Sequence, residues 1–329
     1  MTRCLRRSAS AGARSASTSS SRGGRAADPS RVSDLATPAA TARVLRAYGL
    51  RPRRRLGQHF LVSRSVLERI LEAAALSPDD GVLEIGAGIG TLTAALAARA
   101  GAVVAVESDA GLLPPLREAV AAFPNVALVQ GDILALDLPD LVDRLPVSRK
   151  SVSNLPYNIA SPVILALLER PLGLRRLVLT VQREVADRLV APPGGKDYGA
   201  LSVAVQYRAA ASIAGRIGPG AFYPPPEVDS AIVVLNTLQR PPVAVADEAL
   251  LFRVVRGGFA QRRKTLRNAL AAALAIAPAA VASAAAEARI DPLRRAETLD
   301  LEEFARLTNA LAPAIPAKVK SAGPGKNTR

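Results

Sequence analysis

The chain has 329 residues, 49% of them apolar, enough for a sizeable core and for two domains rather than one. A single cysteine and a single histidine exclude a disulfide framework and argue against a zinc site, and Cys4 lies in a polar stretch where it reads as an inert, reduced thiol. The net charge of +15 is concentrated at the start, where residues 1–55 hold 13 arginines against 2 acids; no apolar run approaches the roughly 20 residues of a membrane helix, so the expectation is a soluble cytoplasmic protein with no membrane partner.

Residues 1–40 are Ser-, Arg- and Ala-rich with little apolar periodicity and read as a disordered basic arm, with an early-assigned start codon or an organelle transit peptide as the other readings. Residues 41–238 form the first predicted domain. Ser65-Val66-Leu67-Glu68 fits a capping box opening a helix whose Val66, Leu67, Ile70, Leu71 and Ala74 share one face. Val82-Leu83-Glu84-Ile85 is a short apolar strand running into Gly86-Ala87-Gly88-Ile89-Gly90, and Thr91 to Ala98 follows as a helix. The spacing is G-x-G-x-G. A dinucleotide fingerprint needs G-x-G-x-x-G, so the turn suits a ligand whose methionine-like tail approaches bare backbone better than a pyrophosphate, and a nicotinamide dehydrogenase is disfavoured.

Val103 to Val106 ends in Glu107, about 20 residues past the first glycine, where an acid at a second strand tip can grip a ribose diol. Val126 to Val129 leads to Gly131-Asp132-Ile133, whose carboxylate can accept from the amine of a cofactor adenine. Asn154-Leu155-Pro156-Tyr157-Asn158-Ile159 stands at a fourth strand tip. Gly86, Glu107, Asp132 and Asn154 therefore form the row expected along the carboxyl edge of a doubly wound α/β sheet. Ser161-Pro162 starts a helix to about Leu168, Leu177 to Val181 is a strand, Leu201 to Tyr207 is ambiguous between strand and helix, and Ile232 to Leu235 closes the sheet as an antiparallel hairpin with residues near 210–217. Arg240-Pro241-Pro242 is a linker to a helical domain over 245–313, followed by a disordered tail over 314–329.

The hexapeptide carries chemistry. The amino nitrogen of adenine shares its lone pair with the ring, so a methylating site must accept hydrogen bonds from that amine and draw it toward tetrahedral geometry. The Asn154 amide oxygen and the main-chain carbonyl of Leu155 or Pro156 can do so, and Tyr157 offers a face to an extruded base. In the helical domain, Arg262, Arg263, Lys264 and Arg267, with Arg253 and Arg256 before them and no matching acidic run, form a candidate phosphate-gripping surface.

Together with Arg54-Arg55-Leu56-Gly57-Gln58-His59-Phe60-Leu61 and Ala221-Phe222-Tyr223-Pro224-Pro225-Pro226-Glu227-Val228-Asp229-Ser230, this row closely resembles the KsgA-type small-subunit (16S) rRNA adenine N6,N6-dimethyltransferases over residues 50–310. The resemblance implies a Rossmann-like methyltransferase sheet with a smaller C-terminal helical domain, S-adenosylmethionine as cofactor, and dimethylation of two adjacent adenines in the 3′-terminal hairpin loop of 16S rRNA within an immature small subunit, by a monomer. It implies cofactor contacts at His59, Leu61, Gly86, Glu107, Asp132 and Asn154, the target amine at Asn154, and stacking on the target base by Tyr157 and Phe222. The chain departs from the family in having His at 59, where Asn is more common, and Ala at 87, where Pro is. The basic arm then reads as RNA-facing. A large-subunit (23S) rRNA methyltransferase conferring macrolide resistance, and a non-catalytic ribosome-assembly or transcription factor on the same fold, are the competing readings.

Overall fold

The computed structural model describes residues 35–261 and 263–315, apart from the side chain of Arg54. Most of the predicted arm, the tail from 316, Cys4 and Arg262 lie outside the described residues. The arm's predicted end at Ala40 is corrected: α1 (Pro38–Ala47) starts inside it, with Thr37 accepting from the Ala40 amide and Ala36 and Ala40 buried. At the other end, Ile315 is buried rather than part of a tail.

In chain order the first part runs β1 (Phe60–Leu61), α2 (Arg64–Ala74), β2 (Asp80–Ile85), α3 (Thr91–Ala97), β3 (Ala102–Glu107), α4 (Leu113–Val120), β4 (Val126–Gln130), α5 (Leu138–Asp143), β5 (Ser148–Asn154), α6 (Ala160–Glu169), β6 (Leu174–Gln182), α7 (Arg183–Val190), α8 (Ala200–Gln206), β7 (Ala209–Ile217), β8 (Phe222–Tyr223) and β9 (Ser230–Thr237). Seven strands form one sheet in the order β4-β3-β2-β5-β6-β9-β7, parallel except for β9, which runs antiparallel to both neighbours. The hairpin expected near 210–217 and 232–235 is β7–β9, and the ambiguous stretch at 201–207 is α8. Helix α2 is capped by Ser63, accepting from Val66 N at 3.4 Å, and not by Ser65, which lies in its first turn; the predicted apolar face is buried as expected.

Strands covered on both faces must be apolar on both, and here the period of two sends alternate residues to two cores. Leu83, Ile85, Val104 and Val106 pack with α5, α6 and α7, while Val82, Val103 and Ala105 pack with α2, α3 and α4. Truncating fully buried Leu83 to alanine would cost about 2–5 kcal/mol. At the foot of β2, Asp80 accepts from Lys150 Nζ (2.9 Å), Ser148 Oγ (2.6 Å) and Ser77 N (2.7 Å). Burial pushes its carboxyl up, but those bonds outweigh it and hold it at about 2.

The outer strand β7 carries a bulge between Ile213 and Gly215. Arg69 of α2 lies against it, Nη1 donating to Arg216 O at 3.3 Å, and a Cβ on Gly215 would fall 1.6 Å from Arg69 Nη2.

Beyond the sheet come α9 (Glu248–Ala260), α10 (Leu266–Leu274), α11 (Pro278–Glu287) and α12 (Leu301–Leu311). Their shared core takes in Tyr198, Val203 and Tyr207 from around α8, so the helices grow onto the sheet unit through buried contacts.

Candidate active site

The strand order reverses between β2 and β5, and a crevice opens at their carboxyl ends, the place where doubly wound sheets bind ligands. The cleft there is lined by Gly86, Gly88 and Ile89 from the glycine turn, Glu107 from β3, Asn154 to Tyr157 from the end of β5, and a strap, residues 56–61, laid across its mouth. Gly86 sits at φ +78°, and a Cβ there would come within 3.1 Å of Pro156 Cδ, so the turn and the Asn-Leu-Pro-Tyr loop are packed backbone to ring.

The strap is tied at both ends. Arg53 Nη1 and Gln58 Nε2 reach the two carboxylate oxygens of Asp109 at 3.0 and 2.9 Å, and β1 pairs antiparallel with β8, Leu61 opposite Phe222.

Three acids line or border the cleft in different ways. Glu107 is 5% exposed; its oxygens accept from the Gly88 and Asp109 amides at 2.8 Å each, linking the glycine turn to the β3 tip, and burial raises its carboxyl even so. Glu84 is fully buried in the cleft wall with Oε2 unpaired, and burial, with the neighbouring Glu107, pushes it up to about 8. Asp132 lines an adjoining pocket that shares Leu56, Gly86, Ser108 and Pro156 with the main cleft; its Oδ1 accepts from Leu134 N at 3.0 Å.

Asn154 is the focal group. Its Nδ2 donates to the carbonyl of His59 at 2.9 Å, which fixes the amide's orientation, and its Oδ1 is buried without a partner. A buried acceptor without a donor costs about 1–3 kcal/mol, a cost relieved when a ligand N–H arrives. Tyr157 follows, its hydroxyl bonded to Ser230 Oγ and its ring stacked on His59. Burial raises the phenol, so it stays neutral.

The fold thus brings together His59, Leu61, Gly86, Glu107, Asn154 and Tyr157, with Asp132 next door. It does not bring Phe222 into the cleft: the ring is 3% exposed and packed in the core with Leu61, so a stacking role on the base is not available to it in this arrangement. Of the basic cluster, Arg263 and Lys264 are exposed in the connection between α9 and α10, and Arg267, partly buried, donates to Asn268 Oδ1 at 3.3 Å. Sequence reasoning assigned no role to Glu84, Asp109, Gln58 or Ser230. The signal for Ser230 was there, since it ends the same Phe-Tyr-Pro-Pro-Pro stretch already singled out.

Among the described residues no cluster of potential metal ligands occurs, and no helix is long and apolar enough to cross a membrane. The family model described as ribosomal RNA adenine dimethylase matches residues 49–312. Ribosomal RNA small subunit methyltransferase A of Geobacillus thermodenitrificans (strain NG80-2) is 46% identical over 286 residues, covering 85% of this chain and 98% of that protein. Among solved structures, a dimethyladenosine transferase from Plasmodium falciparum shares the fold with a TM-score of 0.64 at 24% identity, covering 78% of this chain and 98% of that one. The 23S rRNA methyltransferase ErmE aligns with a TM-score of 0.59 at 28% identity, covering 77% and 99%.

Proposed function

The chain belongs to the ribosomal RNA adenine dimethylase family and is a small-subunit rRNA adenine dimethyltransferase; on that premise we propose that the cleft at β2 and β5 methylates the N6 amines of two adjacent adenines in the 3′-terminal hairpin loop of 16S rRNA. The substrate is the rRNA of an immature small subunit, met in the cytoplasm by a monomer. The observation that carries this reading is the orphaned Oδ1 of Asn154, a buried acceptor held open at the cleft wall.

Bound S-adenosylmethionine supplies an electrophilic methyl group. The residues fit that cofactor: the backbone of the Gly86 turn lines the cleft where a methionine tail would lie, Glu107 offers ribose a buried carboxylate, and Asp132 stands by the adjoining pocket for the adenine. Leu61 closes over it from the strap. Asn154 Oδ1 accepts a hydrogen from the target amine, and the loop carbonyls beside it accept the other, localising the lone pair on nitrogen. Tyr157 gives the extruded base a rigid face. The methylated amine is acidic and releases its proton without a dedicated base.

The large-subunit alternative shares the fold, but the identity of 46% to a small-subunit enzyme against 28% to ErmE supports the small subunit. A non-catalytic binder has no use for an unpaired Asn154 oxygen.

The test is Asn154→Ala in single-turnover methyl transfer to immature small subunits at saturating cofactor. Turnover should fall roughly 100-fold or more, with cofactor and RNA affinities changing much less. A wild-type rate in the variant refutes the assignment.

A further inference from the structure

His59 is the point at which three segments of the site meet. Its carbonyl accepts from Asn154 Nδ2 at 2.9 Å. Its Nδ1 lies 2.7 Å from the carbonyl oxygen of Pro224, and because a carbonyl only accepts, the hydrogen resides on Nδ1. Its ring lies on Tyr157, centroids 5.1 Å apart and planes 25° from parallel. The strap, the loop after β5 and the Tyr-Pro-Pro-Pro loop after β8 are therefore fastened through one side chain and its own carbonyl.

Two consequences follow for Tyr157. One face of its ring is partly covered by the offset imidazole, which leaves the other as the face for a base. The ring also cannot swing, being stacked on one side and tied through its hydroxyl to buried Ser230.

We propose that His59 is a positioning residue for the target base: its imidazole backs Tyr157, so that an extruded adenine completes a three-layer stack of base, Tyr157 and His59 above the Asn154 amide. This rests on the reading of Asn154 and Tyr157 as the groups that hold the target adenine. It assigns the imidazole to the RNA side of the site, whereas the family resemblance alone places this position at the cofactor. Asparagine, the commoner residue here in the resemblance, can donate to Pro224 but has no ring to lay on Tyr157. The backing layer is thus a property of this chain's histidine.

The experiment separates ring from donor in the full-length protein. His59→Phe keeps a ring and loses the bond to Pro224; His59→Asn keeps a donor and loses the ring. Cofactor affinity is read by calorimetry, and KM for small-subunit particles and kcat by steady-state methyl transfer. Loss of one stacked pair corresponds to roughly 2- to 10-fold, so His59→Asn should raise KM for the particle by that factor with cofactor affinity within about twofold of wild type. His59→Phe should stay near the wild-type KM. In a Tyr157→Ala background the His59→Asn effect should vanish. An unchanged KM in His59→Asn, or a loss confined to cofactor affinity, overturns the proposal and returns His59 to the cofactor side. If Tyr157→Ala alone leaves both KM and kcat at wild-type values, the base-holding reading itself fails, and the proposal with it.

Discussion

Replacing Glu84 with glutamine should stabilise the cofactor-free protein at neutral pH. Glu84 is fully buried in the cleft wall with one carboxyl oxygen unpaired, and its folded value is raised from 4.5 to about 8. A raised acid is stabilising in its protonated form. Its contribution is fully present below pH 4.5 and drains away as pH climbs toward about 8, because the unfolded chain ionises first. Each unit in that window costs about 1.4 kcal/mol, so at pH 7 the wild type has given up about 3 kcal/mol that a neutral, nearly isosteric glutamine retains. At roughly 2–4 °C per kcal/mol for chains of this size, the variant should melt on the order of 10 °C higher. Urea and thermal unfolding of both proteins without cofactor, from pH 4.5 to 8.5, should give curves that nearly meet at the acid end and diverge upward. A gap that stays constant across the range, or a wild type that is the more stable at pH 7, would show that Glu84 is ionised in the folded protein and that the reasoning is wrong.

Glu107→Ala should weaken S-adenosylmethionine binding by roughly 1.5–3 kcal/mol, the worth of hydrogen bonds to a charged group, and should lower thermal stability as well, since the Gly88 and Asp109 amides lose their acceptor; unchanged affinity by calorimetry would remove it from the ribose. Neutralising Arg262, Arg263 and Lys264 together should lower RNA affinity and flatten its salt dependence by up to about 2–3 units of log–log slope, with cofactor binding intact; equal slopes for variant and wild type would make the cluster a solvated face. Asp80→Ala removes the ion pair of Lys150 but leaves its ammonium donating to the Ala74 and Ala75 carbonyls, and should cost about 1.5–3 kcal/mol by urea unfolding at pH 7. In the wild type the Asp80 contribution should be present above its ordinary 3.8 and disappear as pH falls toward about 2.

What could be read from the chain depended on how local the determinant was. Strand tips declared themselves because each apolar run ends in a glycine or a polar residue, and the carboxyl-edge row of Gly86, Glu107, Asp132 and Asn154 followed from chain order alone. Glu84 was invisible for the converse reason. It sits inside an apolar strand run, and nothing local says whether a carboxyl there faces solvent or a cavity wall. Phe222 misled because its motif is contiguous while its burial is not; pairing of β8 with β1, some 160 residues away, turns the ring inward. The start of α2 was misplaced by two residues because Glu68 gives Ser65 the pattern of a capping box, whereas the backbone turns extended at Ser63 and makes that residue the cap. The tie of Arg53 and Gln58 to Asp109 joins segments about 50 residues apart and leaves no pattern in either.

The bulged outer strand bears on how these molecules meet one another. An edge strand is an open row of donors and acceptors that a neighbour's strand can extend, and a sheet of seven strands has such a row at each side. On β7 the kink at Gly215 breaks the repeat of that row, and the Arg69 guanidinium, lying over the face of the strand at the bulge, already occupies the Arg216 carbonyl. A pairing chain would have to flatten the kink and do without the Arg216 carbonyl before its ladder could run past Gly215. A side chain from another layer of the fold thus guards this edge against end-to-end growth of the sheet from molecule to molecule, through a contact that leaves the cleft untouched.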